Sequence, residues 1–333
     1  MKVLIFGVTG NTGKVCAKYF DNLGVDVLGV SRRVLPKEYS FVELYQGDIT
    51  DKNLYERLPT DVSLVINFAG VQPSILHTSE STDMTKTFND YVNINIVGVF
   101  NILEYVRLNN IGTYIYTTTH RDYELYWNKQ KKLTNNLPTN INYKGDHSMY
   151  AITKTSAKMI GDYYGGVFNT RVFNFRLPMM FMIPDDPYYL KDGEPTIMPF
   201  LKVIKDAING RKLEIWGDPK LQRDYVYVEN LMSLIELSFK SNLPGGTFNV
   251  GTGEGVSTEN FIKTIGKVFG GISVKSKDQY IYKPEYCTYK SAVYDVSEQK
   301  EKLDYEPILL EEMLKKMKEK IYSEGYLDKW RWS

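Results

Sequence analysis

Lys2-Val3-Leu4-Ile5-Phe6 runs straight into Gly7-Val8-Thr9-Gly10-Asn11-Thr12-Gly13, a G-x-x-G-x-x-G pattern that opens a helical stretch, Gly13–Leu23. Glycines at this spacing let the backbone approach a pyrophosphate, and the first amides of the following helix then bind it. A strand-to-helix turn with no ligand looks similar, so the pattern alone leaves both readings open. The next apolar run, Val25–Val30, ends in Ser31-Arg32-Arg33. A dinucleotide fold that prefers NAD usually places an acid there for the ribose 2′-hydroxyl. Two arginines suit a 2′-phosphate instead, and a solvated basic turn is the alternative.

Outward from that turn, short β-rich runs keep alternating with helical ones: Phe41–Tyr45, a helix from Asp51, Leu64–Asn67, a long helix from Thr85 to Asn109, Thr113–Thr117, a helix Tyr150–Tyr164, and Arg171–Phe175. This order predicts an α/β fold, a Rossmann-type doubly wound parallel sheet with crossover helices. Beyond Pro178 the texture changes to a turn-rich stretch, Pro184, Asp185, Asp186, Pro187, Gly193, Pro195 and Pro199, which predicts a second, smaller α/β lobe. Thr247–Val250 reads as a strand that returns to the sheet. The resulting division is a dinucleotide-binding lobe over 1–177 with a returning segment 224–251, and a substrate lobe made of 178–223 and 252–333.

The 333-residue length suits one large α/β domain or a two-lobed enzyme. With 43% apolar and 24% charged residues, disordered, collagen-like and coiled-coil classes are set aside. The 41 basic against 40 acidic residues leave a net charge of +1, too little to gather a polyanion, so neither nucleic acid nor a membrane surface is an expected partner. Cys16 and Cys287, with three scattered histidines, make neither a disulfide framework nor a metal site. A reducing, cytoplasmic setting is expected, and the apolar opening Val3 to Phe6 is too short for a signal or a membrane span. The 26 tyrosines form no low-complexity tract and read as core and surface.

Tyr150-Ala151-Ile152-Thr153-Lys154 places a phenol and an ammonium one helical turn apart on one face. A cation beside Tyr150 would favour phenolate, drawing its pKa down from ~10 and letting it pass a proton to or from a sugar oxygen. In so tyrosine-rich a chain the same spacing also arises by chance.

Taken together, these features resemble the extended short-chain dehydrogenase/reductase family, in particular the branch acting on nucleotide-linked sugars, along nearly the whole chain. Gly47-Asp48-Ile49 is similar to the family's adenine-contacting segment, and Asn67-Phe68-Ala69-Gly70 to its Asn/Ala/Gly turn. Asn95 in Asn95-Ile96-Val97-Gly98 also matches, and Thr117-Thr118-Thr119 resembles the serine/threonine triplet whose last hydroxyl hydrogen-bonds the reacting oxygen. Trp216-Gly217-Asp218-Pro219-Lys220-Leu221-Gln222-Arg223-Asp224-Tyr225-Val226-Tyr227-Val228 is similar to the family's G-D-G-x-Q-x-R-D-x-V-x-V segment, and Phe248-Asn249-Val250-Gly251-Thr252-Gly253 to its N-x-G-x-G strand exit.

The resemblance implies that Thr119, Tyr150 and Lys154 are catalytic. It also implies that Gly7, Thr9, Gly10, Asn11, Thr12, Gly13, Arg32, Arg33, Asp48, Ile49, Phe68, Ala69 and Gly70, with Tyr150 and Lys154, hold a dinucleotide, NADP(H) before NAD(H). Arg223 is the expected clamp on a substrate diphosphate, since a guanidinium offers phosphate a fork of donors. Asn174 and Thr119 complete the expected substrate contacts. No metal is expected. The implied activity is NADPH-dependent reduction of a nucleotide-linked 4-keto(-6-deoxy) sugar by a homodimer, with 4-epimerisation on a retained cofactor as the alternative. A 4,6-dehydratase or a non-catalytic redox sensor stands further off. The sensor relatives lose the Tyr/Lys pair kept here, and dehydratases carry an acid after the triplet, where this chain has His120 and Arg121. Asp122 or Glu124 are candidates to replace that acid, and His120 is a candidate base. Leu177 stands where relatives have a glycine before Pro178, which puts the local backbone in question, and Lys129-Gln130-Lys131-Lys132 reads as a solvated loop.

Overall fold

The structure is a computed structural model that describes residues 1–71, 84–144, 147–191, 194–276, 278–286 and 290–332. Cys287 and Gly193 lie outside the described residues. The first half alternates β1 (Lys2–Phe6), α1 (Asn11–Asn22), β2 (Asp26–Ser31), β3 (Glu43–Gln46), β4 (Leu64–Asn67), α2 (Met84–Val92), α3 (Val99–Leu108), β5 (Thr113–Thr119), α4 (Ser148–Val167) and β6 (Arg171–Leu177). Short elements follow: β7 (Met180–Phe181), β8 (Tyr188–Lys191), β9 (Glu194–Ile197), α5 (Pro199–Ile208), β10 (Leu213–Trp216), β11 (Gln222–Arg223), β12 (Val226–Tyr227) and α6 (Val228–Lys240). The chain closes with β13 (Gly245–Asn249), β14 (Val256–Ser257), α7 (Thr258–Gly270), β15 (Tyr280–Lys283), α8 (Ser297–Leu303), α9 (Leu310–Ser323) and α10 (Tyr326–Lys329).

Seven strands form one sheet in the order β13-β6-β5-β4-β1-β2-β3, and all of its pairings are parallel. The strand expected at Thr247–Val250 is β13, in register with β6 from Gly245 opposite Val172 to Asn249 opposite Arg176. Parallel strands covered on both faces are apolar throughout, and β1 shows why. Val3 and Ile5 enter the core under α1, α6 and α7, while Leu4 and Phe6 enter the opposite core with α3 and α4. The sequence order reverses between β1 and β4, and the crevice at the carboxyl ends of these strands is where such sheets take ligands.

Two predicted helices come out differently. The stretch after Asp51 is a 3₁₀ helix, Lys52–Arg57, capped by the Asp51 carboxylate. The long helix expected from Thr85 to Asn109 is interrupted by a π-helical segment, Asn93–Gly98, which re-aims Asn95 into the interior. Among the described residues no helix is long and apolar enough to cross a membrane.

Candidate active site

The glycine run occupies the switch point. Gly7 has φ +80°, in the left-handed region, and a Cβ there would lie 2.7 Å from the Ala69 amide nitrogen. At Gly13 a Cβ would meet the Gly7 carbonyl oxygen at 2.3 Å, so only glycine lets α1 start this close to β1. The first-turn amides of α1 have no acceptor inside the helix and point into the crevice, a donor set that fits a diphosphate. Gly10 caps that helix without any side-chain bond, leaving the approach clear. Thr9 is tied to β2 through a 2.6 Å contact between its Oγ1 and Ser31 Oγ.

Around this cradle the other expected dinucleotide residues converge. Asp48 Oδ1 accepts from the Thr50 amide and hydroxyl, both at 2.9 Å, which fixes the turn after β3. Arg32 Nη1 stands 3.8 Å from Asp48 Oδ2 on the surface, and Arg33 beside it is exposed. Ile49 is buried against Gly98, where a Cβ would meet its Cδ1 at 2.5 Å. The turn Phe68-Ala69-Gly70 is drawn tight by Asn67 Oδ1, which accepts from the Ala69 amide at 2.9 Å. Asn95, aimed inward by the π-helical segment, accepts from the Val71 amide at 2.9 Å and donates to Thr153 Oγ1 at 3.2 Å. It therefore pins this turn to α4.

Thr119 ends β5 and Tyr150 lies in the first turn of α4, close enough for the Thr119 hydroxyl to act on the phenol. Burial pushes the Tyr150 phenol up to about 12, against smaller lowering effects from Thr119 and Arg121. Lys154 is buried, with Nζ 4.2 Å from the centroid of the Tyr116 ring and near Gly70, where a Cβ would lie 3.7 Å from it. Loss of water draws its pKa down to about 7. The ammonium lies against Tyr116 and the Gly70 turn, and Thr119 and Arg121 ease ionisation of Tyr150.

Asn174 and Asp122 are both engaged by other side chains. Asn174 sits in the middle of β6, opposite Tyr116, wholly buried on the side facing α4, where Nδ2 donates to Asp162 Oδ1 at 2.8 Å. Strand parity turns it inward, so it does not open to a diphosphate at the strand end. Asp122 is not free to act as the missing dehydratase acid. Arg176 Nε donates to both of its oxygens at 2.9 Å, Arg176 Nη1 donates to Asn249 Oδ1 at 2.9 Å, and the guanidinium lies 3.7 Å from the centroid of the Tyr123 ring. Glu124 is engaged as well, by Arg121 at 3.0 Å and Asn142 at 3.2 Å. The buried Arg176–Asp122 pair escaped sequence reasoning, although an arginine directly after the run Val172–Phe175 is the signal that marks it. Leu177 pairs in regular register with Thr119, which answers the question raised by its replacement of a glycine.

Arg223 is half-buried in β11, bridged to Ala292, and its charge reaches His120. The next residue, Asp224, fastens this segment to the β13 exit. It accepts from the Thr252 amide at 3.0 Å, the Thr252 hydroxyl at 2.6 Å and the Gly253 amide at 3.2 Å, while burial raises its pKa to about 6. Thr119, Tyr150, Lys154 and the glycine cradle thus lie toward one end of the sheet, and the charge of Arg223 reaches the His120 that follows Thr119.

The fold is shared with known proteins. An uncharacterized protein of Methanocaldococcus jannaschii is 23% identical over 94% of both chains. UDP-glucose 4-epimerase of Thermotoga maritima, solved with UDP-glucose, superimposes with a TM-score of 0.76 at 21% identity, covering 98% of this chain and 100% of that one. WbmG of Bordetella bronchiseptica, solved with NAD, gives 0.74 at 18% identity, covering 98% and 95%. At these identities the likeness to solved structures is one of fold. Residues 3–251 match the model of the NAD dependent epimerase/dehydratase family, and the chain belongs to that family.

Proposed function

We propose that this protein moves hydride to and from C4 of a nucleotide-diphosphate-linked sugar, as a 4-epimerase that keeps its NAD(H). The Thr119 hydroxyl acting on the buried Tyr150 phenol, with buried Lys154 against the Gly70 turn, carries this reading. A bound dinucleotide supplies the hydride acceptor. Thr119 holds the reacting sugar oxygen, Tyr150 takes and returns its proton, and Lys154 orients the nicotinamide ribose. The α1 amides with Gly7, Thr9, Gly10, Asn11, Thr12 and Gly13 hold the dinucleotide diphosphate, Asp48 and Ile49 its adenosine end, and Phe68, Ala69 and Gly70 its other half. Arg223 takes the substrate diphosphate. In this reading the dinucleotide lobe is 1–177 with 224–251. The UDP-glucose of the Thermotoga relative and the NAD of WbmG support the choice of ligands.

NADPH-dependent reduction of a 4-keto sugar is the second reading. Arg32 and Arg33 at the end of β2 favour it, and the expectation of NADP(H) rests on them. Dehydration is set back by the engagement of Asp122 and Glu124. A homodimer is part of the proposal, because Phe88, Val92 and Phe100 on one side and Met159, Tyr163 and Val167 on α4 leave an exposed apolar stripe at helical spacing. We place the protein in the cytoplasm, where the buried Cys16 stays a thiol.

The test incubates the purified protein with UDP-glucose, UDP-galactose, UDP-glucuronic acid and nucleotide-linked 4-keto-6-deoxy sugars, with and without added NADPH. Interconversion of C4 epimers without net nicotinamide oxidation is the expected result. Stoichiometric NADPH consumption selects the second reading, and absence of any turnover while dinucleotide still binds selects the sensor.

A further inference from the structure

His120 follows Thr119 directly, where β5 passes into a 3₁₀ helix, His120–Tyr126. Its Nδ1 lies 2.6 Å from the Tyr294 hydroxyl, and its ring packs on Trp127 with centroids 4.7 Å apart. Tyr294 is buried and belongs to the segment that carries Arg223's bridge partner, Ala292. One edge of the imidazole is therefore clamped from the Arg223 side of the crevice, while the chain behind it leads back to the oxygen-binding hydroxyl of Thr119. The charged groups that bear on the ring are Arg121, Arg223, His147 at the head of α4, and Arg176. Loss of water and then the arginine charges hold the imidazole well below its ordinary range, so it is unprotonated at neutral pH. Burial keeps Tyr294 a phenol.

We propose that His120, oriented by Tyr294, is a base that takes the proton from the carbon next to the oxidised sugar carbon, so that this site performs carbon-acid chemistry as well as hydride transfer. The inference rests on the hydride-transfer reading above. Once the sugar carbon is a ketone, its oxygen is hydrogen-bonded by Thr119 and Tyr150, and the neighbouring C–H is acidic. Nε2 of the neutral ring takes that proton. The C–H pair becomes the second bond between the two carbons, and the carbonyl π pair moves onto the oxygen, giving an enolate. Nδ1–H donates to the Tyr294 oxygen throughout and shares the imidazolium charge. Return of the proton to the same carbon restores the ketone, with no oxidant or reductant consumed. A diphosphate seated on Arg223 offsets one of the cations that weaken His120, so the base gains strength when substrate arrives.

The experiment uses substrates already at the ketone level, UDP- and dTDP-4-keto-6-deoxyglucose, in D₂O, so that carbon-acid exchange is read independently of hydride transfer. Proton NMR of the recovered sugar reports deuterium at C3 and C5 against an enzyme-free control, and nicotinamide absorbance with added NADH or NADPH reports hydride transfer. The wild-type protein is expected to wash deuterium into one of these positions. His120→Gln and His120→Asn should each lower the ratio of exchange to hydride transfer by ~10²–10⁴, the range for a lost general base. Tyr294→Phe should lower it less and shift its pH profile. Hydride transfer by the wild type with no exchange above control, or an unchanged ratio in both His120 variants, overturns the base and leaves the hydride reading intact. His120-dependent exchange without hydride transfer to any of these sugars sustains the base and overturns that reading.

Discussion

Replacing Asp122 by asparagine isolates the buried node under the catalytic loop. Its side chain is 0% exposed and that of Arg176 is 3% exposed, so the variant leaves a guanidinium inside the protein without its counter-charge. Breaking a buried pair from one side costs about 3–5 kcal/mol. Here the loss is reduced, because asparagine still offers one acceptor to Nε, and the cation keeps its 2.9 Å bond to Asn249 and the Tyr123 ring. An expected destabilisation of about 2–4 kcal/mol follows, a fall in urea midpoint on the order of 1 M. Burial outweighs the guanidinium and leaves the Asp122 carboxyl titrating above its ordinary value. A raised carboxylate pKa means that ionisation opposes folding at neutral pH, so the intact pair adds little net stability there. Asp122→Leu with Arg176→Met should therefore recover most of the loss. The assay is urea unfolding followed by tryptophan fluorescence for the wild type, the single variant and the double variant. A single variant within about 0.5 kcal/mol of the wild type, or a double variant no better than the single, would refute the reasoning.

Tyr150→Phe should keep the fold and lower turnover by ~10²–10⁴, read with whichever sugar nucleotide the wild type converts; undiminished turnover removes Tyr150 from proton transfer. Lys154→Met should abolish turnover yet raise the stability of the dinucleotide-free protein by about 0.5–2 kcal/mol, because a desolvated cation is replaced by an apolar chain; a lower thermal midpoint contradicts this. Arg223→Ala should weaken sugar-nucleotide affinity by about 1.5–3 kcal/mol and leave dinucleotide affinity nearly unchanged, as calorimetry can separate. The depressed His120 pKa means that the folded state binds fewer protons than the unfolded one. Stability from this group is full above its ordinary value near ~6.5 and declines as pH falls below it, by up to about 1.4 kcal/mol per pH unit. His120→Gln should flatten that part of the unfolding profile, and an identical slope in both proteins counts against the neutral imidazole.

The dinucleotide half of the molecule was readable because its signals are local. Gly7 to Gly13 announces its turn within seven residues, and the alternation of strand and helix implies the sheet. Thr119, Tyr150 and Lys154 were visible because each sits at a fixed offset within one element. What was hidden depends on pairings between distant elements. Arg176 and Asp122 are 54 residues apart, and His120 and Tyr294 are 174 apart, with no spacing rule to connect them. Asn174 shows a different gap. Its type suggested a ligand contact, yet its parity with Val172 and Arg176 along the strand assigns it to the face beneath α4. The π-helical segment left no mark in the apolar periodicity, since it shifts the helix without changing residue type.

The loop that follows Thr119 is held from one side by Arg176 and Asn249 and from the other by residues near 290–299. The Asn128 amide bonds the Ser291 carbonyl at 3.0 Å, Leu133 and Val293 pair at 2.8 Å, Asn135 Nδ2 donates to Gln299 Oε1 at 3.1 Å, and Tyr294 holds His120. On the ribosome, at about 5–20 residues per second, roughly ten to thirty seconds separate the emergence of His120 from that of Tyr294. Through that interval the nascent chain can already build its glycine cradle, while the wall that would face a sugar has nothing to stand against. A newly made chain should therefore complete its glycine cradle before the loop after Thr119 is fixed, and emergence of residues 290–299 is the moment at which that wall is set.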